Sequence, residues 1–222
     1  MKQLADGVWQ LSGFPPNAIN VYLLDDVLVD ASTRYASRRI VRELKGHKLA
    51  AHALTHAHPD HQGASHAVCE RYGVPFWVGE ADVAAAEDPS LIGERQPDHF
   101  MAQLFARTMT GPGHRVDRAL RGGDDVASFK VIDVPGHSAG HVAFWREHDR
   151  VLVLGDVLNS ADVYTGIPGL HEPKPYFTPD PAENRRSARK LAPLEPKLAL
   201  FGHGPPVRDT AKLVAFVNGL PD

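Results

Sequence analysis

The sequence predicts a mixed domain of helices and strands, α/β in the broad sense (α+β), on three observations. Short apolar runs of strand length recur in both halves, several ending on a glycine beside a histidine or aspartate. Between them lie segments with apolar residues at helical spacing, and no repeat, low-complexity tract or linker divides the chain. With 43% apolar residues among 222, a full core can be buried, so residues 1–222 read as a single domain.

The opening third reads as a meander. Strands around Val8 to Leu11, Asn20 to Leu24 and Asp26 to Asp30 are broken by Gly13 and Pro15-Pro16. Ile40, Val41 and Leu44 share one face of a helix from about Ser37 to Leu44, and Gly46 supplies a left-handed end. A strand from Leu49 to Leu54 follows, then a helix from Gly63 to Tyr72 stopped by Gly73 and Pro75, then the strand Phe76-Trp77-Val78. Glu80 to about Gly123 is the least regular stretch, rich in proline and glycine. Phe100, Met101, Leu104, Phe105 and Thr108 still fall at helical spacing there. A helix packed on the core is the first reading, and a mobile cover over a cleft or a dimer contact is the functional alternative.

The second half repeats the pattern, with strands over Val126 to Val134, His141 to Trp145, Val151 to Leu154 and Leu198 to Phe201. Asp180-Pro181-Ala182-Glu183 has the form of a capping box and opens a helix to Leu191, whose Arg185, Arg186, Arg189 and Lys190 read as a solvated basic face. A last helix from about Asp209 to Asn218 buries Leu213, Phe216 and Val217.

The run Thr55-His56-Ala57-His58-Pro59-Asp60-His61 places four metal-capable side chains within six residues. Alternate side chains of an extended or tightly turned segment point the same way, so His56 and His58 can grip one ion. Asp60 and His61, at the turn beyond, are then free to face a second. Three further apolar runs end on candidate partners: Val131 to Val134 leads to Pro135-Gly136-His137, Val151 to Leu154 to Gly155-Asp156, and Leu198 to Phe201 to Gly202-His203. Strands that end on polar residues along one edge are how a rigid sheet presents a site. Imidazole and carboxylate without thiolate suit zinc first, with iron, manganese or cobalt as alternatives. His47, His52, His66, His99, His114 and His148 read instead as solvated or capping residues.

Together these motifs resemble those of the metallo-beta-lactamase-fold hydrolases, over nearly the whole chain. The H-x-H-x-D-H signature is followed after 76 residues by His137 within Pro135-Gly136-His137-Ser138-Ala139-Gly140-His141. Asp156 comes 19 residues later, and His203 comes 47 beyond that within Phe201-Gly202-His203-Gly204-Pro205. The resemblance implies a four-layer αββα sandwich with the site on the shared edge of its two sheets. It also implies that His56, His58 and His137 hold one metal, that Asp60, His61 and His203 hold another, and that Asp156 bridges them. By the same resemblance Asp30 supports the histidine loop, and His141 packs beside the ligands.

The chemistry implied is hydrolysis. Two divalent ions, zinc by first choice, share a water, lower its pKa and aim the hydroxide at an ester, thioester, lactone or amide carbonyl. Asp60 would both bind metal and relay the proton. Within the family, the Gly-His-Gly-Pro ending resembles the small glyoxalase-II-like thioesterases and lactonases. Glyoxalase II carries an additional helical region that binds glutathione, whereas this chain runs 19 residues past His203. Tyr164, His171, Lys174, Tyr176 and Phe177, together with Phe14, are expected to wall the cleft and favour an apolar or flat acyl group. The alternative is a mononuclear iron enzyme of the persulfide dioxygenase type, against which His203 stands by completing a second site.

The formal charge of -3 provides no basic field for nucleic acid. The amino terminus has no apolar core of signal-peptide length, and nowhere do roughly 18 apolar residues run together. The expected partner is therefore a small-molecule substrate, with no nucleic acid and no membrane, a homodimer as the protein partner considered, and the cytoplasm as the compartment. The lone Cys69 allows no internal disulfide and reads as a small buried hydrophobe.

Overall fold

The computed structural model describes residues 1–221. Its first sheet has seven strands in chain order: β1 (Lys2–Ala5), β2 (Val8–Gln10), β3 (Tyr22–Leu24), β4 (Val27–Val29), β5 (Ala51–Ala53), β6 (Phe76–Gly79) and β7 (Arg118–Leu120). The first four are an antiparallel meander. From β4 onward the pairing is parallel, and parallel neighbours need crossovers, which here are helical. The crossovers are α1 (Ser37–Glu43), then α2 (Pro59–Gln62) with α3 (Ser65–Tyr72), then α4 (Val83–Glu87), α5 (Ser90–Arg95) and α6 (Phe100–Met109).

The second half supplies β8 (Asp125–Val126), β9 (Phe129–Asp133), β10 (Val142–Arg146) and β11 (Val151–Gly155). After these come a two-stranded ribbon, β12 (Asn159–Ala161) and β13 (Pro168–His171), then α7 (Pro181–Leu191), β14 (Leu198–Phe201) and α8 (Thr210–Asn218). The second sheet runs β14-β11-β10-β9-β8, and its one parallel pair is β11 with β14.

Both sheets are buried on two faces, which explains why their strands are short runs of Val, Leu, Ala and Phe. Tyr22, Leu24, Val27 and Val29 from the first sheet meet Phe129, Val131, Phe144, Val153 and Leu200 from the second in the central core. With period-two alternation, Leu23 and Leu28 point outward to Ile40, Leu44 and Val68, while Leu54 and Val78 face Cys69, Ala85 and Ile92. On the other side, Leu152, Leu154 and Phe201 meet Ala188, Leu191, Leu213 and Val217 of α7 and α8. This is the four-layer αββα sandwich. No helix among the described residues is long and apolar enough to cross a membrane.

Several elements differ from expectation. Val126 to Val134 is a hairpin, because Ala127 turns left-handed at φ 50° and the Asp25 carboxylate accepts the Ser128 N–H and hydroxyl at 3.1 and 2.6 Å. The helix expected from Gly63 is two pieces, the first beginning at Pro59 and so containing Asp60 and His61. The irregular stretch holds three helices, with the His99 ring accepting the Met101 N–H at 3.2 Å as the cap of α6. The basic face of α7 is solvated at Arg186 and Lys190, as expected, and is also paired: Arg185 with Glu172 at 2.7 Å, Arg186 with Glu183, and the Lys190 ammonium with the Asp133 carbonyl at 2.9 Å.

His52 is also not solvated. It is fully buried on β5, stacks on Phe76 at 5.2 Å, and bonds Leu28 O and Ser65 Oγ at 3.0 and 2.8 Å. Burial pushes its pKa down to about 4, outweighing the Leu28 carbonyl that favours the charged ring. The native state therefore keeps this ring neutral while the unfolded chain protonates it near 6.5, so stability falls as pH drops from 6.5 toward 4. At pH 5 the His52 contribution to that loss is about 2 kcal/mol. Urea unfolding of wild type and His52→Gln at pH 7 and pH 5 should give a shallower pH dependence for the variant by about that amount.

Candidate metal centre

All the predicted ligands leave the carboxyl ends of strands on one edge of the sandwich. β5 runs into the Thr55–His61 segment, β9 toward His137, β11 into Asp156 and β14 into His203. The parallel register of β11 and β14, Val153 opposite Leu200 and Gly155 opposite Phe201, sets Asp156 beside His203. Gly202 must be glycine at this crossing, since a Cβ there would stand 1.8 Å from Asp156 Oδ1.

The structure brings all seven together. His56, His58 and His137 form one group and Asp60, His61 and His203 a second, while His56, His61 and Asp156 form a third between them. Within each group the ligand atoms lie within 4.8 Å of one another. Asp156 reaches both sides: Oδ2 is 3.6 Å from His137 Nε2 and 3.0 Å from His203 Nε2, and Oδ1 is 3.6 Å from His61 Nε2. Asp60 Oδ2 lies 3.2 Å from His203 Nε2 and 3.8 Å from His61 Nε2.

The atoms pointing into this cluster fit divalent ions. Nε2 of His56, His61 and His137 and Oδ1 of Asp156 are buried without a hydrogen-bond partner, an arrangement that costs about 1–3 kcal/mol per group unless something pairs with it. The opposite ring nitrogens are all engaged outward. His56 Nδ1 meets Thr55 Oγ1 at 2.9 Å, His61 Nδ1 meets Asp30 Oδ2 at 2.9 Å, His137 Nδ1 meets Thr178 Oγ1 at 3.1 Å, and His203 Nδ1 meets the Ala18 carbonyl. Bonds of this kind fix the tautomer and aim the free nitrogen of a ligating histidine. His58 differs, since its Nε2 lies against the Gln96 amide.

A cleft of about 190 Å³ opens beside the cluster. Ile19, Ala102, Phe105, Met109, Val163 and Phe177 make it largely apolar, and Asp60, Asn159, Tyr164 and Lys174 give it its polar points. Of the expected wall residues, Tyr164, Lys174 and Phe177 line it. His171 and Tyr176 are not among the described lining residues, and Phe14 is 94% exposed. Tyr176 braces the wall from behind, donating its hydroxyl to Tyr164 at 2.7 Å and stacking on His99 at 4.3 Å. The segment expected as a core helix is instead a wall: α6 presents Ala102, Phe105 and Met109 to the cleft, and Phe105 stacks on Phe177 at 5.4 Å.

A profile of the metallo-beta-lactamase superfamily matches residues 14–203. The chain belongs to this superfamily. It is 33% identical over 200 residues to the probable metallo-hydrolase YflN of Bacillus subtilis strain 168, covering 82% of this chain and 76% of that one. A hydroxyacylglutathione hydrolase of Methylococcus capsulatus is 32% identical over 120 residues, 52% of this chain and 36% of its own length. Among solved structures, the BLEG-1 B3 metallo-beta-lactamase superposes with a TM-score of 0.73 at 27% identity, covering 96% of this chain and all of that one. TTHA1623, solved in a di-iron-bound form, superposes with a TM-score of 0.62 at 25% identity, covering 93% of both chains. For this metallo-beta-lactamase-fold chain, the His/Asp clusters imply divalent metal binding.

Of the two carboxylates that hold the metallo-beta-lactamase loops, sequence reasoning named Asp30 and missed Asp82. Asp82 is buried; its Oδ2 accepts the Ala57 N–H at 3.0 Å and the Ser138 hydroxyl at 2.6 Å, and its Oδ1 accepts the Gly140 N–H at 2.9 Å. One carboxylate thus ties the loop of His56 and His58 to the loop of His137. Asp30 does the same for the strand exit, accepting the Thr55 N–H at 2.8 Å and the His61 ring. Asn159 was also missed. It is 3% exposed, lines the cleft, and its Oδ1 has no partner. The signal available was a polar residue following Val157-Leu158, directly after Asp156.

Charge divides the histidines into two sets. Burial, then the neighbouring rings, holds His56 and His137 far below the usual imidazole range, so both are neutral. Burial likewise pushes His141, 4.6 Å from His56, down to about 3. For His61 burial acts in the same sense, but Asp156, Asp60 and Asp30 outweigh it and raise the pKa to about 9. His203 is raised well above its ordinary value because Asp156 and Asp60 overcome its burial. At pH 7 the metal-free site therefore carries protons on His61 and His203 that an incoming cation must expel. Zinc uptake measured calorimetrically in buffers of different ionisation enthalpy should release roughly two protons near pH 7, with affinity rising as pH rises toward 9. Proton-neutral uptake would show that these two rings are not displaced.

Proposed function

We propose that the protein is a dinuclear metal-dependent hydrolase acting on the ester, thioester or lactone carbonyl of a small substrate with an apolar acyl group. The observation that carries this reading is the convergence of two three-residue ligand groups on opposite sides of Asp156. His56, His58 and His137 would hold one ion, Asp60, His61 and His203 the other, and Asp156 would be shared. When bound, two divalent ions supply Lewis acidity and lower the pKa of a shared water toward neutrality. Zinc is the first choice for this donor set, with iron and manganese as alternatives; the di-iron form of TTHA1623 supports the pairing of metals.

The chain's own residues do the rest. Asp60 lines the cleft with Oδ2 toward His203, where its carboxylate can orient the attacking water and take its proton. Ile19, Phe105, Met109 and Phe177 receive the acyl group and exclude bulk water. Asn159 lines the cleft with its Oδ1 unpaired, and its amide N–H would be the group that donates to an acyl oxygen. Relatives named metallo-hydrolase and hydroxyacylglutathione hydrolase support acyl-bond hydrolysis. A mononuclear iron enzyme would leave the Asp60, His61 and His203 group without a use.

The test combines elemental analysis with a panel of S-lactoylglutathione, acyl-homoserine lactones, aryl esters and a beta-lactam. Two metals per chain and turnover of an acyl substrate are expected, and His58→Ala or Asp156→Ala should lower kcat/KM by more than about 100-fold, beyond the loss typical of a residue behind a ligand. One iron per chain with oxygen uptake on glutathione persulfide, or near-full activity in either variant, would overturn the assignment. Asn159→Ala should reduce kcat/KM roughly tenfold, the worth of about 1.4 kcal/mol, while metal content stays at the wild-type value.

A further inference from the structure

Away from the cleft, α3 and the loop before β7 bring three more metal-capable side chains together. His66 and Glu70 stand four residues apart on α3 and so share a face. His114 meets them from the loop, its Nδ1 3.1 Å from His66 Nδ1, and the ligand atoms of all three lie within 4.8 Å of one another. Two nitrogens on one tetrahedral zinc, each about 2.0–2.1 Å from it, sit about 3.3 Å apart. The two rings are therefore already at ligand spacing. Read in sequence, these histidines had only solvated or capping roles; half-buried against each other, they are neither.

The backbone behind the cluster is held in place. The His114 N–H donates to the Ala86 carbonyl at 3.2 Å, and the Val116 N–H donates to Glu87 Oε1 at 2.9 Å. Asp117 Oδ2 accepts the Phe76 N–H at 2.9 Å, and the His114 ring meets Phe76 edge-on at 5.9 Å. Sites on supported elements need little reorganisation to bind. We propose that His66, Glu70 and His114 form a further divalent-cation site, with imidazole, imidazole and carboxylate donors suited to zinc and a remaining position open to water. It joins α3, which follows the short helix α2 with its Asp60 and His61, to the end of the segment that walls the cleft. The site is a clamp on the scaffold and takes no part in the hydrolysis.

The test compares the full-length metallated protein with His114→Asn and Glu70→Gln after dialysis against micromolar zinc. Wild type should retain one more zinc per chain than His114→Asn, Glu70→Gln should bind that zinc roughly tenfold more weakly, and excess zinc should raise the thermal midpoint of wild type most, of Glu70→Gln less and of His114→Asn least. Activity of the variants on any substrate found should equal wild type. Because both variants keep every residue of the cleft, the difference is read independently of how many ions the cleft holds. Glu70 is exposed, so its variant answers the question even if His114→Asn folds poorly. Equal zinc content and equal zinc-dependent midpoints in all three proteins would overturn the proposal.

Discussion

Asp156 stands between two groups of histidines, and the stacking of two sheets is what puts it there. Its carboxylate is buried, and His203 and His61 hold its pKa far below the ordinary range against the cost of that burial. The same low-dielectric setting leaves His56 and His137 neutral with free nitrogens turned inward. A cluster of buried donors without partners is unfavourable in isolation, and a bound cation would offset that cost. The fold must therefore hold the donors in place before any ion arrives.

That holding falls to carboxylates outside the ligand set. Asp30, in the left-handed region at φ 61°, accepts bonds from both ends of the histidine loop, and Thr55 extends its reach to His56. Asp82 joins the loop at Ala57 to the one around Gly140. Close glycine packing completes the arrangement, as at Gly155, where a Cβ would stand 2.5 Å from His141 Nε2. Both carboxylates satisfy backbone groups that bending chain would otherwise bury unpaired.

The cleft joins this polar cage to an apolar wall. Phe105, Met109 and Phe177 adjoin Asp60 and His203 within one opening, so a substrate's reacting carbonyl and its apolar portion can be bound side by side. The wall helix α6 is anchored through Gln103, which donates to the Gly93 carbonyl at 3.0 Å, and through the stacked pairs Phe105–Phe177 and His99–Tyr176. On the proposed reading, specificity would reside in a segment separate from the strands that carry the candidate metal ligands.

The seven candidate ligands and most strands were legible in the chain because they rest on local regularities. A short continuous apolar run reports a strand buried on two faces, and H-x-H-x-D-H and strand-end Gly-Asp and Gly-His pairs are contiguous patterns. Whereas α6 was legible through the helical spacing of Phe100, Met101, Leu104, Phe105 and Thr108, the Ala127 turn, the helical start at Pro59 and the short helices α4 and α5 were not. Asp82, Gln96 and Asn159 belong to the same class. Asp82 lies 25 residues from Ala57 and 56 from Ser138, and nothing near it in sequence marks the contact. The pairing of His66 with His114 across 48 residues is likewise a product of packing. By itself the sequence determined which donors exist and which strands deliver them, since those depend on short-range periodicity. Only the tertiary structure decided which side chains hold the loops, which wall the cleft and which histidines meet, because these are contacts between segments whose separation along the chain carries no pattern.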